Sequence, residues 1–253
     1  MEAIEHPPIL SLTPWGIPDH VFYTWVVMGI LVVLSLVASR NLQMVPRGTQ
    51  NFMEIVLEQF ITLLDEVIGH EGRRFLPLIG TLGLFILVSN LMGLVPGMIA
   101  PTGSLNTTAA CAIIVFLYYH YVGIRKQGLK NYLKHFAGPV PMLAPLMFPI
   151  ELVSHFARAL SLTLRLFGNM AAGHILLAII FLLTGLEGLL GWALTGSLGG
   201  IIMGLPGAAV LIAFTTGFLL PLKILVAFLQ AFIFCMLSML YLAGAVEEAE
   251  HHH

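Results

Sequence analysis

A series of apolar runs long enough to cross a lipid bilayer constrains this chain more than any other feature. The first, Val21 to Ala38 (VFYTWVVMGILVVLSLVA), carries no charge and is bounded by Pro18-Asp19 and Arg40. A helix rises 1.5 Å per residue, so such a run is suited to a hydrocarbon core of about 30 Å. Charged residues make up 9% of the sequence and hydrophobic residues 58%, whereas an average soluble domain is about 25% charged. The chain therefore reads as an all-α integral membrane protein.

The opening Met1-Glu-Ala-Ile-Glu-His6 lacks the positive stretch of a secretory signal, and no small-residue cleavage site follows the first run. That run is expected to stay as a membrane helix. Cys111 and Cys235 both lie inside apolar runs, which points to neither a disulfide framework nor a thiolate metal site. No cofactor is expected.

The expected layout is a single membrane domain. Residues 1–20 form an external N-terminal segment and 21–39 the first crossing. Residues 50–69 mix Glu54, Glu58, Asp65 and Glu66 with Phe52, Ile55, Val56, Leu63, Leu64 and Val67, an amphipathic pattern that places this helix at the interface. Residues 75–96 and 105–124 form a helical hairpin whose loop holds Pro96, Gly97, Pro101 and Gly103. After Pro139, Pro141, Pro145 and Pro149, helical patterns run over 140–185, most clearly from Ile150 to Thr184, and over 205–244. Thirty-five helical residues reach about 52 Å, so each long run must tilt or break. Gly168, Gly173, Gly217 and Pro221 are candidate break points, and Leu186 to Leu205 reads as a connecting turn.

Basic residues set the orientation. Arg40, Arg47, Arg73 and Arg74 flank the amphipathic segment, and Arg125, Lys126, Lys130 and Lys134 follow the third crossing. Both loops are expected in the cytoplasm. Five crossings then leave the N-terminus outside and the C-terminus inside.

Only Arg158, Arg165 and Lys223 remain, all within apolar helices. A basic residue at the centre of a membrane helix costs about 2.5–3.5 kcal/mol on insertion scales and normally faces a cavity, a bundle interior or a counter-ion. Glu151, Arg158 and Arg165 recur every seven residues and share one helix face with Ser154, Ser161 and Asn169 flanking it. His174 projects from about the opposite azimuth. Lys223, Gln230 and Tyr241 lie close in azimuth on the last helix. A buried Glu151–Arg158 ion pair that only joins helices is the plain alternative for that pair, snorkelling to the surface is the alternative for Lys223, and His120 and His155 read as structural histidines. Arg165 has no such alternative, since Glu151 is about 21 Å away along the axis. An arginine does not pass on its proton, but it lowers the pKa of a nearby carboxylate by about 1–3 units. It would also bar cations from running straight through the membrane.

Around these residues the chain resembles subunit a of the rotary F-type ATP synthase. The resemblance rests on Leu164-Arg-Leu-Phe-Gly-Asn-Met170, Asn90-Leu-Met-Gly-Leu-Val-Pro96, Asn106-Thr-Thr108, Glu151, and Leu229-Gln-Ala-Phe-Ile-Phe234. It implies that the last two long helices form a strongly tilted hairpin curving around a ring of c subunits, so that tilting replaces breaking. It also implies that Arg165 faces each ring carboxylate in turn and separates two half-channels. Asn169 and Gln230 would line that site, Glu151 and Ser154 the cytoplasmic half-path, and His174 with Lys223 the external one. Arg158 and Tyr241 are candidate supports.

The chain departs from that pattern at three positions. Bacterial members commonly carry Glu where His174 stands and His where Lys223 stands, mitochondrial members His and then Glu, and many bacterial members Asp at Ser104. Imidazole exchanges protons near neutral pH, which makes His174 the better external relay.

The expected function is thus a proton-translocating stator subunit with no ATP chemistry of its own, in keeping with the lack of a Gly-x4-Gly-Lys-Ser/Thr motif. Its expected partners are the c ring, the b-subunit peripheral stalk, the rest of the ATP synthase and the bilayer, with a proton or sodium ion as cargo and no nucleic acid. The absence of a transit peptide favours a bacterial inner membrane. A secondary transporter with an anion site at Arg165 and Glu151 is the alternative, although the inverted repeats expected of one are not evident.

Overall fold

The computed structural model describes residues 18–40, 42–95, 98–128, 132, 144–185 and 187–250. The expected N-terminal segment up to residue 17, the loop residues Pro96 and Gly97, Lys130, Lys134, Pro139, Pro141 and the terminal histidines lie outside them. The elements are α1 (Asp19–Ser39), α2 (Thr49–Val67), α3 (Leu76–Met92), α4 (Leu105–Gln127), α5 (Ala144–Thr184), α6 (Leu189–Leu194), α7 (Leu205–Phe214) and α8 (Leu220–Glu250). Short 3-10 turns at His70–Phe75 and Pro101–Gly103 precede α3 and α4. Among the described residues there is no strand, and five helical stretches are long and apolar enough to cross a membrane. Helices satisfy their own backbone groups, which hydrocarbon cannot do for them.

The two long patterns do not break. α5 runs for 41 residues, about 60 Å at the helical rise, straight through Gly168 and Gly173. It begins ahead of Ile150 and accommodates Pro149 in its second turn. The other long pattern stays helical from Gly200 to Glu250 through two π segments, Gly200–Gly204 and Thr215–Leu219. Each ends two residues before a proline, Pro206 or Pro221. Proline cannot donate to the carbonyl one turn back, and a widened turn re-satisfies the freed groups without ending the helix. Gly244 does not stop α8 either. The expected turn over Leu186–Leu205 is itself largely helical, with the reversal made around Gly188 and Gly196, the latter at φ 72°.

α3 and α4, expected as a hairpin, each pack against α8 rather than closely against one another, while α5 lies against α4. In lipid, helices associate through close van der Waals contact and small residues rather than through expulsion of water. Gly80, Gly83, Ala227 and Ala231 are buried along α3 and α8. A Cβ added to Gly83 would lie 2.6 Å from Cys235 Sγ and 3.0 Å from Phe60 Cζ. Leu64, Phe75, Ile79, Tyr119, Met239 and Leu242 form one core. Ile86, Cys111, Val115, Leu162, Leu166 and Phe234 form a second. Both cysteines are buried and free.

Glu71 joins the two basic regions at one end of the bundle, pairing with Lys126 in the last turn of α4 and with Arg74 at 3.1 Å. Arg73 pairs with Asp65 at 2.7 Å. α2 presents Phe52 and Ile55 outward and buries Leu64 against the bundle.

Gly83→Val should therefore cost about 1–3 kcal/mol through overpacking. Gly29→Ala, where no atom lies within 4 Å of an added Cβ, should be neutral. Thermal unfolding of the two variants in detergent checks this.

Candidate functional site

α5 positions the predicted residues at three levels. Near its start, Glu151 and His155 stand one turn apart, and His155 Nε2 lies 3.3 Å from Glu151 Oε1. The other imidazole nitrogen, Nδ1, is hydrogen-bonded to the Tyr119 hydroxyl from α4, and the two rings are nearly parallel with centroids 5.7 Å apart. Glu151 is therefore held by His155, and the ion pair with Arg158 that stood as the plain alternative does not form. The reason is reach: an i,i+4 neighbour is adjacent on a helix, whereas i,i+7 lies two turns away. Arg158 is exposed, with its guanidinium carbon 5.9 Å from the Tyr241 ring centroid, within the range of a cation–π contact. Arg158, Tyr119, Tyr241 and Leu162 border a pocket of about 10 Å³, room for one water molecule. Ser154 is half-buried beside this group.

Arg165 stands at the middle level. The same helical turn sends Leu162 and Leu166 into the core, where both are almost fully buried, and leaves Arg165 exposed on the outer face. Its neighbours on that face are small: Ser161, Gly168 and Ala172 are also exposed. Among the described residues, no carboxylate pairs with Arg165. Asn169 is half-buried beside it. Ala231 and Phe234 of α8 share the core of Leu162 and Leu166, which sets Gln230 at the level of Arg165. Gln230 itself is buried.

The third level lies at the opposite end from the basic loops. His174 fills a space left by two glycines, for a Cβ added to Gly93 would lie 3.1 Å from its Cε1 and Nε2, and one added to Gly103 would lie 3.7 Å from its Cδ2. Lys223 passes over a third, with Cε 3.0 Å and Nζ 3.4 Å from a Cβ built on Gly173. His174 and Lys223, from different helices, thus meet at one level, and His174 faces away from the Arg165 stripe as its azimuth requires. Three residues before Gly93, Asn90 donates to the Ala227 carbonyl at 3.3 Å and accepts from the Thr102 hydroxyl at 2.7 Å. Asn90 and Thr102 are both buried.

The sequence reading missed the engagement of His155 by Tyr119, which lies on another helix. It did not register the three glycines as spaces for His174 and Lys223. The i,i+4 spacing of Glu151 and His155 was a usable signal, whereas nothing local marked Tyr119. Among the described residues, no group of acidic, His and Cys side chains is arranged to hold a metal.

A model of the family described as ATP synthase A chain matches residues 21–243. The chain is 48% identical over 231 residues to ATP synthase subunit a of Trichlorobacter lovleyi, covering 91% of this chain and 88% of that one. It is 46% identical over 230 residues to ATP synthase subunit a of Desulfosudis oleivorans, covering 91% and 89%. It is likewise 46% identical over 231 residues to ATP synthase subunit a of Geobacter sulfurreducens, covering 91% and 89%. The matched span contains all three levels of α5 and their partners on α4 and α8, and the chain belongs to the ATP synthase A chain family.

Proposed function

We propose that this chain is the ion-translocating stator subunit of a rotary ATP synthase, in which Arg165 faces the carboxylates of a c ring and divides the membrane into two half-paths. The observation that carries this reading is the outward, unpaired guanidinium on an apolar helix. A charge so costly to place in lipid and without a counter-ion among the described residues is suited to a carboxylate supplied by a neighbour. Opposed to that carboxylate, the guanidinium favours its ionised form and so promotes proton release. Its fixed charge also blocks direct passage between the half-paths. A proton driven through them by the membrane potential yields about 2.3 kcal/mol per 100 mV.

The basic loops joined through Glu71 orient the bundle with that end in the cytoplasm of a bacterium, leaving α2 at the interface and the C-terminus inside. Glu151 and Ser154 then line the cytoplasmic half-path. His174 and Lys223 line the external one, and Asn169 and Gln230 flank Arg165. Arg158 and Tyr241 support the cytoplasmic side. α5 and the helical stretch ending in α8 exceed the hydrocarbon thickness, which favours a tilted course against the ring. The b-subunit stalk is a further partner. Proton transport is the reading favoured by His174, whose imidazole is a side chain able to carry a proton. A transporter site built from Arg165 and Glu151 together is disfavoured, because Glu151 is engaged by His155 about 21 Å along the helix.

In inverted membrane vesicles, Arg165→Ala should abolish ATP-driven proton pumping, read with a pH-sensitive dye, while ATP hydrolysis persists uncoupled. Normal pumping would overturn the stator reading. His174→Ala should lower pumping more than Lys223→Ala; the reverse order in the same assay would reassign the external relay to Lys223.

A further inference from the structure

His155 is the most enclosed ionisable side chain described on α5, with 9% of its surface exposed, and it is engaged at both ring nitrogens. Tyr119 and His120 from α4 and Glu151 from α5 meet it directly, and Tyr241 from α8 lies behind Tyr119 with Arg158 over its ring. His120 meets His155 edge-on at 5.4 Å and directs its own Nδ1 to the Phe116 carbonyl at 2.9 Å.

Counting protons selects the state of the ring. The buried Tyr119 hydroxyl needs an acceptor, and Nδ1 serves if it carries no proton. The single ring proton then sits on Nε2 and is donated to Glu151 Oε1. The opposite tautomer would set the Nε2 lone pair against a carboxylate oxygen. An imidazolium would leave the hydroxyl proton without its acceptor and add a cation beside Arg158. One neutral tautomer therefore satisfies both contacts.

We propose that His155 is a positioning residue for ion translocation, holding the Glu151 carboxylate in one orientation at the mouth of the path while Tyr119 fixes the imidazole tautomer. The inference rests on the path proposed above. Glu151 keeps about a third of its side chain exposed, 36%, against 11% for His155, and with Oε1 accepting from the imidazole the second oxygen is the one left to take up a proton. A proton arriving from water binds that oxygen and later leaves from it, and His155 neither gains nor loses one. The imidazole acts as a fixed donor, and a proton does not pass through the ring.

The assembled ATP synthase in inverted vesicles tests this, with pumping normalised to ATP hydrolysis and to the amount of assembled complex. His155→Ala should lower pumping about tenfold or more, the order of one charge-assisted hydrogen bond. His155→Gln retains an N–H that reaches Glu151 and should restore most of it. In a Glu151→Gln background, His155→Ala and Tyr119→Phe should add little, because residues acting through a common partner are not additive. Tyr119→Phe removes one hydroxyl and keeps the packing, so it carries the test even if His155→Ala fails to assemble. If Glu151→Gln pumps normally, the cytoplasmic path is wrong and the inference falls with it. If Glu151→Gln is impaired but the His155 and Tyr119 effects add to it in full, or Gln at 155 is no better than Ala, the positioning role alone is overturned.

Discussion

The close approach of α3 and α8 governs where everything else can stand. Glycines and alanines along the seam bring the two backbones near enough for Asn90 to reach the Ala227 carbonyl, a bond that would be out of range between helices with larger side chains. In hydrocarbon this contact cannot draw on water expulsion and relies on fit and on hydrogen bonds between otherwise unsatisfied groups. It fixes the height and rotation of α8, and through them the levels of Lys223, Gln230 and Tyr241. α5 is then placed against this block by Leu162 and Leu166, the residues that turn Arg165 outward.

Polar groups are partitioned by this arrangement. Two sets directed into the bundle find partners in the same chain: Asn90 with Thr102, and His155 with Tyr119 and Glu151. Those on the outer stripe of α5, Ser161 and Arg165, stand among exposed small residues. A charge on an outer face is unfavourable where it meets lipid alone, and the proposed assembly is what would offset it. The bundle turns the guanidinium outward, where no carboxylate among the described residues pairs with it.

Much of this was legible in the amino-acid sequence, for reasons that differ by element. α1, α3 and α4 announce themselves as apolar runs of bilayer length, and Arg165 is conspicuous because an unpaired charge in such a run is expensive. The continuity of α5 and α8 was not legible, because a glycine or proline in a long apolar pattern is compatible with a break, a bend or a π turn, and only the neighbouring helices decide. Glu151 shows the limit at the level of single residues. Its spacing to Arg158 suggested an ion pair on one face, but His155 is nearer on the helix and is held by a tyrosine 36 residues upstream in the sequence. The accommodation of His174 depends on atoms that glycine lacks, and no helical periodicity reports an empty space.

The three glycines around His174 and Lys223 make that end of the molecule a shared volume. The imidazole occupies room ceded by Gly93 and Gly103, and the lysine stem occupies room ceded by Gly173. Side-chain size is therefore constrained jointly across helices instead of at any one position: a larger group at residue 93 or 103 demands a smaller one at 174, and a larger group at 173 demands a shorter one at 223. Divergence in this region should proceed by paired exchanges that keep the total bulk constant while moving the polar group from one helix to another.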